Sequence, residues 1–404
     1  MRLNRAMDRY LPFDATPRER EIAALATSLA HELAASASEH DRLGTFPLAH
    51  YARLHDAGYL RLPIPPSQGG DGASLFEMVL AQERLSHAGA ALGVGVAMLF
   101  NVIGKLLEPN EWPASLRDYV LRSVAERGGL MNMVVTETEL GSISRGGIPA
   151  TTATPAHGGY EITGHKIFVT AAPALRFLMT AVRIPPDERA PQGYVAYAVV
   201  EAPAPGLRLE PTWQGSLSQR SGGSDDAWFE RVLVPEDRIV ERRAIGSPAP
   251  GGGLNGWWMT LVAVYVGIAQ AAIDAACDYA HARVPTALGA AIATQPHIQR
   301  LIGEMEAELA AARAMLYDTA RWYTQRPDER GQVGPKLAAA KYAVTHAACH
   351  VTERALNVAG GFSLTRRLSL EQHFRDARGG LFQPLQDDLA LGMIGRAALA
   401  ARAP

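Results

Sequence analysis

Two carboxylates, Asp387 and Asp388, lie three and four residues past Pro384 in the tract Gly379-Gly380-Leu381-Phe382-Gln383-Pro384-Leu385-Gln386-Asp387-Asp388. Beside a substrate, such a group can accept a proton. A proline followed by acidic residues is equally the start of a helix, where the dipole favours negative charge. Upstream, Thr136-Glu137-Thr138-Glu139-Leu140-Gly141-Ser142 and Gly164-His165-Lys166-Ile167-Phe168-Val169-Thr170 combine short hydroxyls with glycine. Glycine lets backbone donors approach a phosphate or the polar edge of a ligand, although each segment alone also reads as a polar turn or a core strand. Arg283, in Tyr279-Ala-His-Ala-Arg283, carries the planar fork that binds phosphate bidentately. In Asn357-Val-Ala-Gly360-Gly361-Phe362-Ser363, the paired glycines suit close approach of a ligand to the backbone, or an ordinary helix end. The pair Trp257-Trp258 reads as core, or as a broad aromatic wall for a flat or cyclic substrate.

The elements that must position these residues follow from periodicity. Residues 15–128 are rich in Ala and Leu at helical spacing, for example Ala23, Leu25, Leu29, Met78, Leu80 and Leu85. The Pro- and Gly-rich stretch from Leu62 to Gly72 interrupts the helices. From 129 to about 240 short β-favouring runs appear, among them Tyr160-Glu-Ile162, Tyr194–Val200 and Val232-Leu-Val-Pro235, and predict an antiparallel β-domain. Alternation along a strand would send Phe168 and Thr170 to one face. Helical periodicity returns at 258–283, 292–324 and 333–358. The expected fold is therefore α+β and multidomain: an α-helical domain over 1–128, a middle antiparallel, barrel-like β-domain over 129–244, and a C-terminal four-helix bundle over 245–404.

The 404 residues carry a formal net charge of -2 and no polybasic stretch, which argues against nucleic acid or an anionic membrane as the main partner. Cys277 and Cys349 stand far apart in helical sequence without metal-ligand spacing, so buried thiols in a reducing compartment are expected and no metal site. The apolar run Ala88–Phe100 is shorter than the roughly 20 residues of a membrane helix. Met1–Tyr10 shows no apolar signal region. A cytoplasmic protein is the expectation.

Taken together and in order, these blocks resemble the acyl-CoA dehydrogenase family of flavoproteins. The resemblance covers most of the chain and includes Arg220-Ser-Gly-Gly-Ser224 through Phe229 and Val232-Leu-Val-Pro235, which close the β-domain. It implies that Met133, Val135, Thr136, Gly141 and Ser142 meet the flavin edge and first phosphates. It further implies that Thr170 bonds flavin N5 with Phe168 beside the ring, and that Arg283, Asn357, Gly360 and Gly361 serve the FAD pyrophosphate, Arg283 from a neighbouring subunit. A homodimer or homotetramer follows from such sharing.

The family's catalytic glutamate is the point of departure. Counted from Arg375-Asp376, its position holds Pro384; the alternative position, ten residues before Gly267 of Gly267-Ile-Ala-Gln270, holds Trp257. Leu288, Pro296 and Ser363 also replace residues usual in the adenine and pyrophosphate sites. The expected function is FAD-dependent α,β-dehydrogenation of an acyl thioester, with Asp387 and Asp388 as candidate bases and Trp257, Trp258 and Pro384 around the substrate. Electron-transfer flavoprotein would be a partner. The alternative keeps the fold but uses reduced flavin, FMN included, from a flavin reductase in an oxygen-dependent reaction on an aromatic or cyclic substrate, which needs no such base. A third reading is a relative that binds an acyl thioester without turning it over.

Overall fold

The computed structural model describes residues 10–139, 146–247 and 255–402. Gly141 and Ser142 lie outside the described residues. Among the described residues, helices α1 (Pro17–Leu43), α2 (Leu48–Asp56), α3 (Leu75–Leu85), α4 (Ala90–Leu107) and α5 (Ala114–Arg127) come first. Two of them start at full capping boxes. Thr16 Oγ1 accepts from Glu19 N while Glu19 accepts from Thr16 N, and Ser74 and Glu77 repeat the arrangement, which satisfies amide groups left over at a helix start. The stretch 62–72 contains only one 3-10 turn, Pro66–Gln68.

Eight strands follow: β1 (Leu130–Val134), β2 (Thr152–Ala156), β3 (Gly159–Val169), β4 (Leu175–Ile184), β5 (Tyr194–Glu201), β6 (Leu207–Glu210), β7 (Asp225–Val234) and β8 (Ile239–Ala244). They form one sheet in the order β6-β7-β3-β2-β4-β5-β8, with β1 on β4. The sheet is mixed rather than antiparallel as expected, because β1 and β2 both pair parallel to β4. A strand that enters from a helical region needs no hairpin to reach its partner, so alternation alone could not reveal that direction.

Helices α6 (Met259–Ala282), α7 (Pro296–Gln325) and α8 (Gly334–Ala359) are long, and α9 (Leu370–Arg378) and α10 (Asp387–Ala400) are shorter. Three long helices carry the C-terminal region, and the short pair packs on them; α9 contacts α6 and α8, and α10 contacts α8. Helix α4 and the stretch Gly256–Ala282 are long and apolar enough to cross a membrane by length and composition, yet in each 83% of the apolar 18-residue window is buried inside the protein. They pack on each other at the core, where Val264 of α6 lies within 3.1 Å of where a Cβ on Gly93 of α4 would sit.

Candidate functional site

Strand β1 delivers Met133, Val135 and Thr136, all partly exposed, to one edge of the sheet. Strand β3 supplies the facing segment through a bulge: its register against β7 shifts between Lys166 and Val169. Phe168 takes a left-handed conformation there, φ 58. Alternation therefore does not place Phe168 and Thr170; the bulge re-aims them. The irregular pairing leaves the Ile167 N–H for the Thr136 carbonyl, at 3.0 Å. Phe168 is 57% exposed and stands edge-on to Trp213, ring centroids 5.7 Å apart. The Thr170 hydroxyl lies 3.1 Å from the Ser224 hydroxyl, and Asn132 Nδ2 donates to the Thr170 carbonyl. His165 is stacked on Trp228 at 3.7 Å and paired with Asp226.

Beneath this edge sits a buried ion pair that the motifs carry without an assigned role. Tyr160, Ile162 and Lys166 point inward from β3, and a charge on that face needs a partner. Lys166 Nζ donates to Glu137 Oε1 at 2.6 Å and to the Val135 carbonyl at 3.3 Å. Glu137 also accepts from Thr151 Oγ1 and Thr151 N on one oxygen and from Ala150 N on the other. Burial pushes the Glu137 carboxyl up, but Lys166, Thr151 and the two backbone donors outweigh it and hold it below the ordinary range. Burial lowers Lys166, and Glu137 restores only part.

Neither position that would hold a base does so. Trp257 is the middle residue of the 3-10 turn Gly256–Trp258 that leads into α6, and is 5% exposed. Its ring fills the space over Gly104 of α4, where an added Cβ would fall 1.9 Å from it. Trp257 is thus a core residue and leaves the substrate-wall role to its neighbour. Trp258 does line a small cavity, with Val262, Leu337, Ala338, Lys341, Pro384 and Leu385. Asp387 is the first residue of α10 and is tied down: Oδ1 accepts from Lys341 Nζ at 3.0 Å and Oδ2 lies 2.8 Å from His346 Nε2. Burial raises its carboxyl, but His346 and Lys341 more than offset that and keep it below the usual range. Asp388 is exposed in the same first turn. Both behave as helix-start residues, a role that suits acidic side chains.

The phosphate candidates do converge. Arg283, just past α6, lies over the Phe362 ring at 5.3 Å, and Tyr279 approaches the same ring. Gly360 and Gly361 end α8 with open space where a Cβ would project, and Asn357 is exposed one turn earlier. One exposed corner therefore holds Arg283 and the glycine pair.

The Arg375-Asp376 pair does more than mark the alignment. Arg375 donates to Asp41 of α1 and to the Leu217 carbonyl of the β-domain, while Asp376 accepts from Gln219 N. A cation and an anion side by side on one helix, both buried, were the available signal.

The chain matches the family models "Acyl-CoA dehydrogenase, N-terminal domain" over residues 16–108 and "Acyl-CoA dehydrogenase, C-terminal domain" over residues 250–397. It is 35% identical over 363 residues to a putative acyl-CoA dehydrogenase, YdbM, of Bacillus subtilis, covering 90% of this chain and 92% of that one. It belongs to the acyl-CoA dehydrogenase family. A second relative is the L-evernosamine nitrososynthase of a Micromonospora strain, 28% identical over 386 residues, 91% of this chain and 87% of that one. Among solved structures, butyryl-CoA dehydrogenase of Megasphaera elsdenii has the same fold: TM-score 0.85 at 21% identity, covering 96% of this chain and all of the other. Family members are oxidoreductases, and the relatives differ in the reaction they are named for.

Proposed function

We propose that this member of the family is a flavin-dependent oxidoreductase that works without a carboxylate base, and that the oxygen-dependent chemistry of a reduced flavin on an aromatic, cyclic or amine substrate fits its site best. The observation that carries this reading is the filling of both base positions, one by Pro384 and the other by Trp257 sealed against Gly104. Removing an α-proton requires a base within hydrogen-bond reach, and the resemblance to the family implies a carboxylate for that role. The nearest in the chain, Asp387, spends both oxygens on Lys341 and His346.

The residues present fit a flavin. Thr136 is partly exposed, the Phe168 ring is exposed beside Trp213, and the glycine pair faces open space near Arg283. Met133, Val135, Thr136, Thr170 and Phe168 would hold the ring; Arg283, Asn357, Gly360 and Gly361 would hold the phosphates of FAD, with FMN needing fewer of them. When bound, flavin supplies hydride acceptance and, once reduced, reaction with dioxygen. Trp258 and Pro384 present apolar surface to one small cavity, beside Val262 and Leu385. The nitrososynthase relative is named for oxidation at nitrogen, a reaction with no α-proton to remove.

The second reading, dehydrogenation of an acyl thioester with electrons passed to an electron-transfer flavoprotein, is supported by the 35% identity to a putative acyl-CoA dehydrogenase. A single experiment separates the two. The protein is loaded with FAD or FMN, then supplied with NADH, a flavin reductase and aromatic or amine substrates, with oxygen uptake and products followed. Substrate-dependent oxygen incorporation is expected; oxygen-independent reduction of the flavin by an acyl-CoA thioester would overturn the proposal. A cytoplasmic homodimer or homotetramer belongs to the same proposal.

A further inference from the structure

We infer that the buried Glu137–Lys166 pair is a clasp that fixes the flavin-facing edge, making both positioning residues for the cofactor. This rests on the flavin reading above.

Three pieces of chain meet at the pair. Glu137 directly follows Thr136, the candidate for the flavin edge. Ala150 and Thr151, at the far end of the connection from β1 to β2, donate to both Glu137 oxygens. Lys166 comes from β3, two residues before Phe168 and four before Thr170, and its ammonium also reaches the Val135 carbonyl. Lys166 is 0% exposed and Glu137 7%. A buried ion pair usually gains little net stability against apolar residues of equal size, whereas losing one partner strands the other charge. Such a pair is better suited to fixing geometry than to holding a fold together, and here it sits where β1 and β3 must present their side chains jointly.

Gly164 belongs to the same device. A Cβ there would fall 2.5 Å from Thr151 Oγ1 and 2.7 Å from its Cα, so the absence of a side chain lets Thr151 reach Glu137. The spacing Gly164-x-Lys166-x-Phe168-x-Thr170 thereby gains a physical reading. The first two motif positions build the clasp, and the last two are what it aims.

The clasp is tested by titrating flavin-free protein with FAD and with FMN, following quenching of flavin fluorescence, together with the thermal midpoint of each flavin-free variant. Glu137→Gln and Lys166→Met are expected to raise Kd roughly tenfold or more, each stranding a buried partner. The double variant should recover part of that loss, since it leaves no unpaired charge. Thr151→Val keeps the ion pair and the fold; losing one buried hydrogen bond should lower the flavin-free midpoint by roughly a few degrees, and the loosened edge should raise Kd about fivefold. If folded variants bind flavin as the unaltered protein does, the clasp is overturned and the pair is ordinary packing. If the unaltered protein binds neither flavin, the flavin reading itself falls, a different result from the first.

Discussion

A carboxylate serves as a base when its proton affinity suits the task and its oxygen can reach the proton. Asp387 is held as an anion by Lys341 and His346, which weakens it as a base. Asp376 has the opposite problem. Burial, with Asp41 nearby, pushes it up to about 7, a value suited to proton transfer. Yet it is 2% exposed and gives one oxygen to Gln219 N at 2.6 Å. The carboxyl with a base-like affinity is therefore sealed between domains. A raised carboxyl contributes stability that is complete below its unfolded value, near 4, and is lost as pH rises through about 7. Asp376→Asn keeps an acceptor for Gln219 and cannot ionise. The thermal midpoint of the unaltered protein minus that of this variant should fall across pH 4 to 7. A flat difference would show that Asp376 is ionised throughout.

The entry to α6 shows how element packing decides a residue's role. The tandem Trp257-Trp258 offers two faces of one turn: Trp257 faces inward to α4 and Trp258 faces the cavity beside Pro384. Gly104→Ala should cost about 1–3 kcal/mol through overpacking against the Trp257 ring, read as a lower midpoint with flavin affinity intact. A loss of flavin affinity without a loss of stability would place Trp257 at the cofactor instead. Helix periodicity was legible in the residues because apolar stripes at 259–282, 296–325 and 334–359 are long and strongly patterned. The bulge at Ile167–Phe168 was not, since nothing in Lys-Ile-Phe-Val-Thr signals a left-handed residue without the strand it pairs with. The parallel β1–β4 pairing escaped for the same reason, and the partners of Asp387 did so because Lys341 and His346 lie on another helix. The glycines and hydroxyls of the candidate site were legible because their spacing follows the family; the clasp beneath them was not, as Glu137 and Thr151 meet Lys166 only through tertiary contact.

At the scale of the whole molecule, Arg375 and Asp376 tie the first helix, the β-domain and α9 together, through Asp41, Leu217 and Gln219. The β-domain is thereby joined to the helices at Leu217 and Gln219. The corner with Arg283, Phe362, Gly360 and Gly361 lies at the exposed ends of α6 and α8. Arg283→Ala should lower FAD retention on gel filtration and leave FMN binding less affected, because only FAD extends a pyrophosphate to that corner. Equal retention of both would remove Arg283 from the cofactor site.

The account turns on the claim that no group in this chain takes an α-proton from a thioester. The most direct measurement is the visible spectrum of the flavin-loaded protein, mixed without oxygen with a panel of short- and long-chain acyl-CoA thioesters. The flavin is predicted to stay oxidised with all of them over many minutes. Bleaching by any of these thioesters at a catalytic rate would contradict the account and establish a dehydrogenase with a relocated base.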